Sequence, residues 1–306
     1  MTPLEDVGFC LDVDGTVHRS GSVFVETLAA LRAGDALPLD ARERNDLGVA
    51  LDAVAAYRGG ARSQRRWRLA FGATDLLRRA FGGDAARSAI AAVIAASASD
   101  HSTAAHDAAA YNEMQARTLD AYGRVLRGRD ADAVERALRT TIPTIPVDSA
   151  VRRTLREFVA DGAAVHLVSD APEHVVEAYA AGLTGRTGWT TGTRFERVDG
   201  TYTGDYTLPA KGDVVERRRE RGDWDFTVAA GDSESDRAMR DAADVFLAVG
   251  GQGSLAARVD ADATLPASEA VLADVLNRSR PVVAVPSDVG LDTALRAVLE
   301  ASGYAG

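Results

Sequence analysis

Four short apolar runs constrain this chain more than any other feature, because each stops at an acidic or glycine turn. Val7 to Val13 runs into Asp14-Gly15-Thr16, and Ala163 to Val168 leads into Ser169-Asp170. Phe226 to Ala230 ends in Gly231-Asp232, and Val245 to Val249 ends in Gly250-Gly251. Runs this brief and this continuously apolar read as strands covered on both faces. A helical stretch, Val151 to Ala160, precedes the second run, and after the fourth come a helical stretch at Ser268 to Leu276, one more strand candidate at Pro281 to Val285 and a final helix at Leu291 to Ala301. Strands alternating with helices build a parallel sheet, so the predicted fold is α/β. Ligands of such sheets bind beyond the carboxyl ends of the strands, where Asp12, Ser169 and Asp232 all fall.

Between the first two strands lies a long segment with helical rather than strand periodicity. Leu47, Leu51, Val54 and Ala55 keep the spacing of one helix face, as do Leu69, Leu76, Leu77 and Ala80, and again Ala89, Val93 and Ala96. The segment closes at Ile142-Pro143-Thr144-Ile145-Pro146, which cannot continue a helix. This predicts an inserted helical cap over residues 22–146, on a core made of residues 1–21 and 147–306. Thr193 to Tyr206 reads instead as a hairpin, with Asp199-Gly200 as a two-residue turn of the primed type.

Composition narrows the function. The chain has 306 residues, 46% of them hydrophobic, which is enough for a large core. Its longest apolar candidate, Ala89 to Ala98, falls short of the roughly 18–20 residues that span a bilayer. Met1 to Val7 is too acidic and polar for a secretion signal, and Cys10 is the one cysteine, so a cytoplasmic protein without internal disulfides is expected. A net charge of −10 carries no basic footprint for nucleic acid. Asp outnumbers Glu by 31 to 14, and 34 of the 35 cationic residues are Arg. That bias fits a GC-rich genome or adaptation to high salt, and it bears on solubility rather than on the reaction. It also isolates Lys211, the sole lysine.

Asp-x-Asp alone carries little weight in so acidic a chain, since it recurs at Asp130/Asp132, Asp223/Asp225 and Asp260/Asp262. Asp12/Asp14 differs because it terminates an apolar strand and runs into Gly-Thr. Taken singly, Asp14-Gly15 also reads as a turn, Ser169 as a helix cap before Pro172, and Asp232 as a helix N-cap. Their order at successive strand ends sets them apart from these plainer readings. Carboxylates gathered at one sheet edge repel, since unit charges about 4 Å apart interact by about 4 kcal/mol at an effective dielectric near 20. Such a cluster is tolerable around a hard divalent cation, and oxygen ligands suit Mg²⁺.

Asp12-x-Asp14-Gly15-Thr16, Ser169, Lys211 and Gly231-Asp232-x-x-x-Asp236, in that order, resemble the four-motif signature of the haloacid dehalogenase-like phosphohydrolases. Asp199-Gly200-x-Tyr202-x-Gly204 ahead of the lysine is similar to the phosphoserine phosphatase-like branch. The resemblance implies a Rossmann-like parallel sheet and a Mg²⁺-dependent phosphomonoester hydrolase acting on a small phosphorylated metabolite through an aspartyl-phosphate. It implies Asp12 as nucleophile and Asp14 as the acid, then base, with its backbone carbonyl on the metal. Asp232 would be a metal ligand, and Asp236 a second ligand or an orienter. Ser169 would hydrogen-bond a phosphoryl oxygen, and Lys211 would offset charge.

Asp14 argues against the dehalogenases of this superfamily, and the absence of any lysine between Val17 and Pro146 excludes phosphonate hydrolysis through a cap Schiff base. Sugar-phosphate mutases share both aspartates and stay open, as does a non-catalytic binding module on the same core. The chain also departs from members acting on phosphoserine: its first glutamate after the motif, Glu26, is farther along, and Ser169-Asp170-Ala171-Pro172 replaces Ser-Gly-Gly. Asp170 sits beside the expected phosphate site and is retained as a substrate-binding candidate. Arg58, Arg62, Arg65, Arg66 and Arg68 cluster in the cap; they read as a solvated helix face or, at Arg62 and Arg65, as anion-binding groups for the substrate. Trp67 reads as core. His18 could point into the cleft, whereas His101, His106 and His174 lack the partners of a zinc site.

Overall fold

The computed structural model describes residues 4–304 apart from 20, 84, 87–88, 90–107, 186–188 and 251–254. Eight strands form one sheet in the order β4-β3-β2-β1-β5-β6-β8-β7. At its centre β1 (Val7–Asp12) pairs in parallel with β2 (Ala164–Pro172) on one side and β5 (Phe226–Gly231) on the other. Outward from β5 lie β6 (Val245–Val249), β8 (Val282–Val285) and the two-residue β7 (Ala263–Thr264), all parallel. Outward from β2 lies β3 (Thr190–Val198), and β4 (Thr201–Thr207) closes that edge antiparallel.

Successive residues of the central strands alternate between two apolar faces. Phe9, Leu11, Val228, Ala230, Val245 and Leu247 enter the larger core, while Cys10, Ala229, Phe246 and Ala248 enter the smaller one. Helices α5 (Ser149–Ala160), α6 (Glu173–Thr184), α9 (Glu269–Leu276) and α10 (Leu291–Ala301) supply the first face. Helices α7 (Lys211–Glu220) and α8 (Arg237–Ala242) supply the second. Both faces being covered is why the strands read as unbroken apolar runs. The chain leaves β1 toward β2 and returns on its other side at β5. That reversal opens a crevice at the carboxyl end of β1.

Helices α1 (Val23–Ala33), α2 (Ala41–Phe81), α3 (Ala108–Leu126) and α4 (Ala131–Thr141) lie between β1 and β2. Asp40 and Glu43 close a capping box at the start of α2. The larger core runs from the sheet into these helices through Leu28, Leu47, Leu51 and Leu119. One expectation fails on α2: Leu69 and Leu76 are exposed, and Trp67, Phe71 and Thr74 form the buried face instead. Both sets keep helical spacing, and packing against neighbouring helices selects the aromatic one. Val93, Ala96, His101 and His106 lie outside the described residues. No helix among the described residues is long and apolar enough to cross a membrane.

The hairpin turns at Asp199 and Gly200 with φ of 49° and 77°, the paired positive angles of a type I′ turn. It packs on α3 through two glycines in backbone contact. A Cβ on Gly123 would lie 2.4 Å from the Gly204 carbonyl oxygen, and one on Gly204 would lie 2.7 Å from that of Gly123. Helix propensity favours alanine over glycine by about 1 kcal/mol, but backbone cannot yield as a side chain can. Gly123→Ala is therefore expected to destabilise the fold by about 1–3 kcal/mol net, read as a lower urea midpoint at unchanged m-value.

Candidate active site

The site assembles at the end of β1. Asp12 is the last strand residue, in register with Val168, so Ser169 and Asp170 follow on the adjacent strand. On the other side β5 ends at Gly231, and Asp232 is the next residue. After Asp12 the chain folds back at once, with Val17 N–H donating to Asp12 O and Gly15 N–H to His18 O. Gly15 takes φ +88°, and a Cβ there would lie 2.1 Å from Asp232 Oδ2. Glycine at this position thus serves both the turn and the approach of the third acidic segment.

Lys211, the first residue of α7, is buried and reaches across the sheet edge. Its ammonium donates to Asp12 Oδ1 at 2.9 Å, to Asp236 Oδ1 at 2.7 Å and to Ser235 Oγ at 3.2 Å, with Asp170 Oδ2 at 3.4 Å. Carboxylate oxygens of Asp12, Asp232 and Asp236 lie within 4.8 Å of one another. Burial, reinforced by the charge of Asp236, holds the Asp12 carboxyl well above the usual carboxylate range. Burial and Asp236 push Asp232 up to about 8. Burial works to lower the Lys211 pKa, but Asp12, Asp236 and Asp170 outweigh it and hold the ammonium well above the ordinary lysine value. One cation among these carboxylates leaves negative charge in excess, and the donors are all oxygen. Both features fit a hard divalent cation such as Mg²⁺.

The two oxygens of Asp236 are already engaged. Oδ1 accepts from Lys211, and Oδ2 accepts from the backbone N–H groups of Asp232 and Ser233 and from Ser233 Oγ. Of its two expected roles the geometry favours the orienter, which fixes Lys211 and the loop bearing Asp232. Asp12 and Asp232 are left as the side chains best placed to hold a metal. Asp14 is expected on the metal through its backbone carbonyl alone, and its side chain is engaged elsewhere. Its carboxylate accepts from Val23 N–H at 2.7 Å and Ser22 Oγ at 2.5 Å, and so faces the N-terminus of α1.

Ser169 is buried, and its Oγ accepts from Ala171 N–H at 3.1 Å, which leaves its own O–H to donate. Asp170, the substrate-binding candidate beside the expected phosphate site, directs its carboxylate at Lys211 and Ser235. Arg65 is exposed on α2, and the Arg62 side chain lies outside the described residues. Trp67 is buried edge-on against Phe71. His18 is not in the cleft: its Nε2 lies 2.8 Å from Glu26 Oε1, and its ring packs edge-on against Tyr179. That contact also occupies Glu26. Burial lowers the His174 pKa to about 3, and its Nε2 sits 3.0 Å from Tyr122 Oη. Sequence reasoning missed Tyr111 on α3, whose hydroxyl comes within 3.4 Å of Asp170. No local pattern in the sequence marks it.

A family model described as haloacid dehalogenase-like hydrolase matches residues 73–240, more than half of the chain. The chain belongs to the haloacid dehalogenase-like hydrolases. A comparison with curated proteins returns no match. Among solved structures, cytosolic 5'-nucleotidase IIIB bound to cytidine is similar over 98% of this chain and 86% of its own, at 12% identity and a TM-score of 0.52. A probable phosphoserine phosphatase from Vibrio cholerae aligns over 100% of this chain and 69% of its own, at 15% identity and a TM-score of 0.45. A phospho-aspartyl intermediate analogue of phosphoserine phosphatase aligns over 79% and 85%, at 15% identity and a TM-score of 0.39. For this haloacid dehalogenase-like hydrolase the nucleotidase likeness supports the fold: a mostly parallel sheet flanked by helices, with further helices inserted after β1.

Proposed function

We propose that the protein is a Mg²⁺-dependent phosphomonoester hydrolase acting on a small phosphorylated metabolite through an aspartyl-phosphate. The observation that carries this reading is the convergence of Asp12, Asp232 and Lys211 at one sheet edge. Asp12 and Asp232 would hold Mg²⁺, together with the Asp14 backbone carbonyl that the family pattern implies. When bound, the ion would supply the positive charge that lets a carboxylate approach a phosphate dianion.

The protein's own groups divide the remaining work. Lys211 fixes Asp12 by its Oδ1 and leaves Oδ2 for attack on phosphorus. The alkoxide leaves as the P–O ester bond breaks, and Asp14 supplies its proton. Asp14 then takes a proton from the water that hydrolyses the aspartyl-phosphate. Because Asp14 is hydrogen-bonded to Ser22 and Val23, its orientation is tied to the first inserted helix. The Ser169 O–H and the Lys211 ammonium would stabilise charge on the phosphoryl oxygens. In this reading α1–α4 act as a cap that excludes bulk water during transfer and reopens for product release.

A panel of small phosphomonoesters, assayed for phosphate release with Mg²⁺ or EDTA and at low and high KCl, tests the proposal. Release from at least one ester is expected, lost in EDTA and restored by Mg²⁺. Mg²⁺ at a hundred times its Kd should also raise the unfolding free energy by about 2.7 kcal/mol. No release from any ester with Mg²⁺ present would overturn the reading, and phosphate moved to a second hydroxyl would identify a mutase instead.

A further inference from the structure

Lys211 has three N–H donors. Two are committed to Asp12 and Asp236, at 2.9 and 2.7 Å. The third is directed at the pair formed by Ser235 Oγ and Asp170 Oδ2, at 3.2 and 3.4 Å. Ser235 Oγ in turn donates to the same Asp170 oxygen at 3.1 Å. Asp170 is anchored through its backbone, since its carbonyl accepts from Thr193 Oγ1 at 2.6 Å. Into this group comes the Tyr111 hydroxyl, within 3.4 Å of Asp170 Oδ2. It arrives from α3, far from the strands that carry the motifs, and is braced edge-on by Tyr57 of α2 at 5.8 Å between ring centroids. Burial, with the charge of Asp170 beside it, keeps the Tyr111 phenol well above its ordinary pKa, so the hydroxyl stays a donor.

We infer that Asp170 and Tyr111 are positioning residues: they link the inserted helices to Lys211 and fix the ammonium on Asp12 while α3 is seated on the core. The inference rests on the hydrolase reading for its effect on turnover but not for its geometry. Asp170 is not free to compete with a phosphate for Lys211, because its Oδ2 is shared among three neighbouring donors and accepts from Ser235 Oγ, which itself accepts the ammonium's third hydrogen bond. Misplacement of a reacting group by about 1 Å can cost up to two orders of magnitude in rate. Loss of one orienting partner out of three should cost less.

Because Lys211 is the only lysine, protein labelled with [¹⁵N]lysine at the side chain shows a single ammonium signal. In Tyr111→Phe and in Asp170→Asn that signal is expected to shift and its protons to exchange faster with water. With the ester found active in the panel above, kcat should fall about tenfold in Asp170→Asn and about threefold in Tyr111→Phe, at a KM within about twofold of the unmodified protein. The double variant should be no slower than Asp170→Asn alone, as expected for two residues acting through one contact. An unchanged ammonium signal in Tyr111→Phe, whose fold only loses one hydroxyl, would overturn the inference. Independent, multiplying effects of the two substitutions would overturn it as well. If no ester is hydrolysed, the functional reading fails by itself while the ammonium signal still decides whether Asp170 and Tyr111 position Lys211.

Discussion

Asp12→Asn should abolish phosphate release, by about 10⁴-fold or more, while the protein remains folded. The amide is nearly the same size as the carboxylate but carries no negative charge to attack phosphorus. It is also a poorer ligand for a hard cation, so two functions disappear together. The fold should tolerate the change, because Lys211 keeps Asp236 at 2.7 Å and repulsion with Asp232 is relieved. Phosphate release under Mg²⁺ and a circular-dichroism melt measure the two halves. Turnover within tenfold of the unmodified protein would rule out a covalent intermediate at this residue.

Lys211→Met is expected to destabilise the protein by about 3–5 kcal/mol in EDTA and to remove turnover as well. Methionine has the same four-atom length as the lysine stem beyond Cα, so little of the loss comes from packing. What remains is electrostatic. Asp12, Asp236 and Asp170, now gathered within 3.4 Å of one ammonium, would be left without it in a largely buried site. Mg²⁺ would offset part of this charge, so the stability deficit should shrink when the ion is saturating. Urea unfolding of both proteins with EDTA and with Mg²⁺ makes the comparison, and an equal deficit under the two conditions would refute the electrostatic cause.

Much of the architecture was legible because its rules are local. Val245 to Val249 and Leu291 to Ala301 were readable to the residue, since unbroken apolar runs and helical spacing report directly on burial. Asp199-Gly200 was equally plain, because few residues accept positive φ at both positions of a turn. On α2 the same logic misled: two apolar stripes compete, and the one with Leu69 and Leu76 faces outward. Nothing in a helix by itself says which stripe its neighbours will cover.

The order of residues by itself determined that Asp12, Ser169 and Asp232 would meet at one edge, because parallel strands place all their carboxyl ends on the same side; Lys211, which opens a helix after the antiparallel β4, was expected there only from the family resemblance. Only the tertiary structure decided which way each group turns. It sends Asp14 to the start of α1, closes both oxygens of Asp236, and gives Asp170 to Lys211. It also brings Tyr111 to Asp170 from 59 positions away. A charged side chain at such a cleft settles against whatever partners are within a few ångströms, and those partners come from segments whose proximity no local pattern encodes.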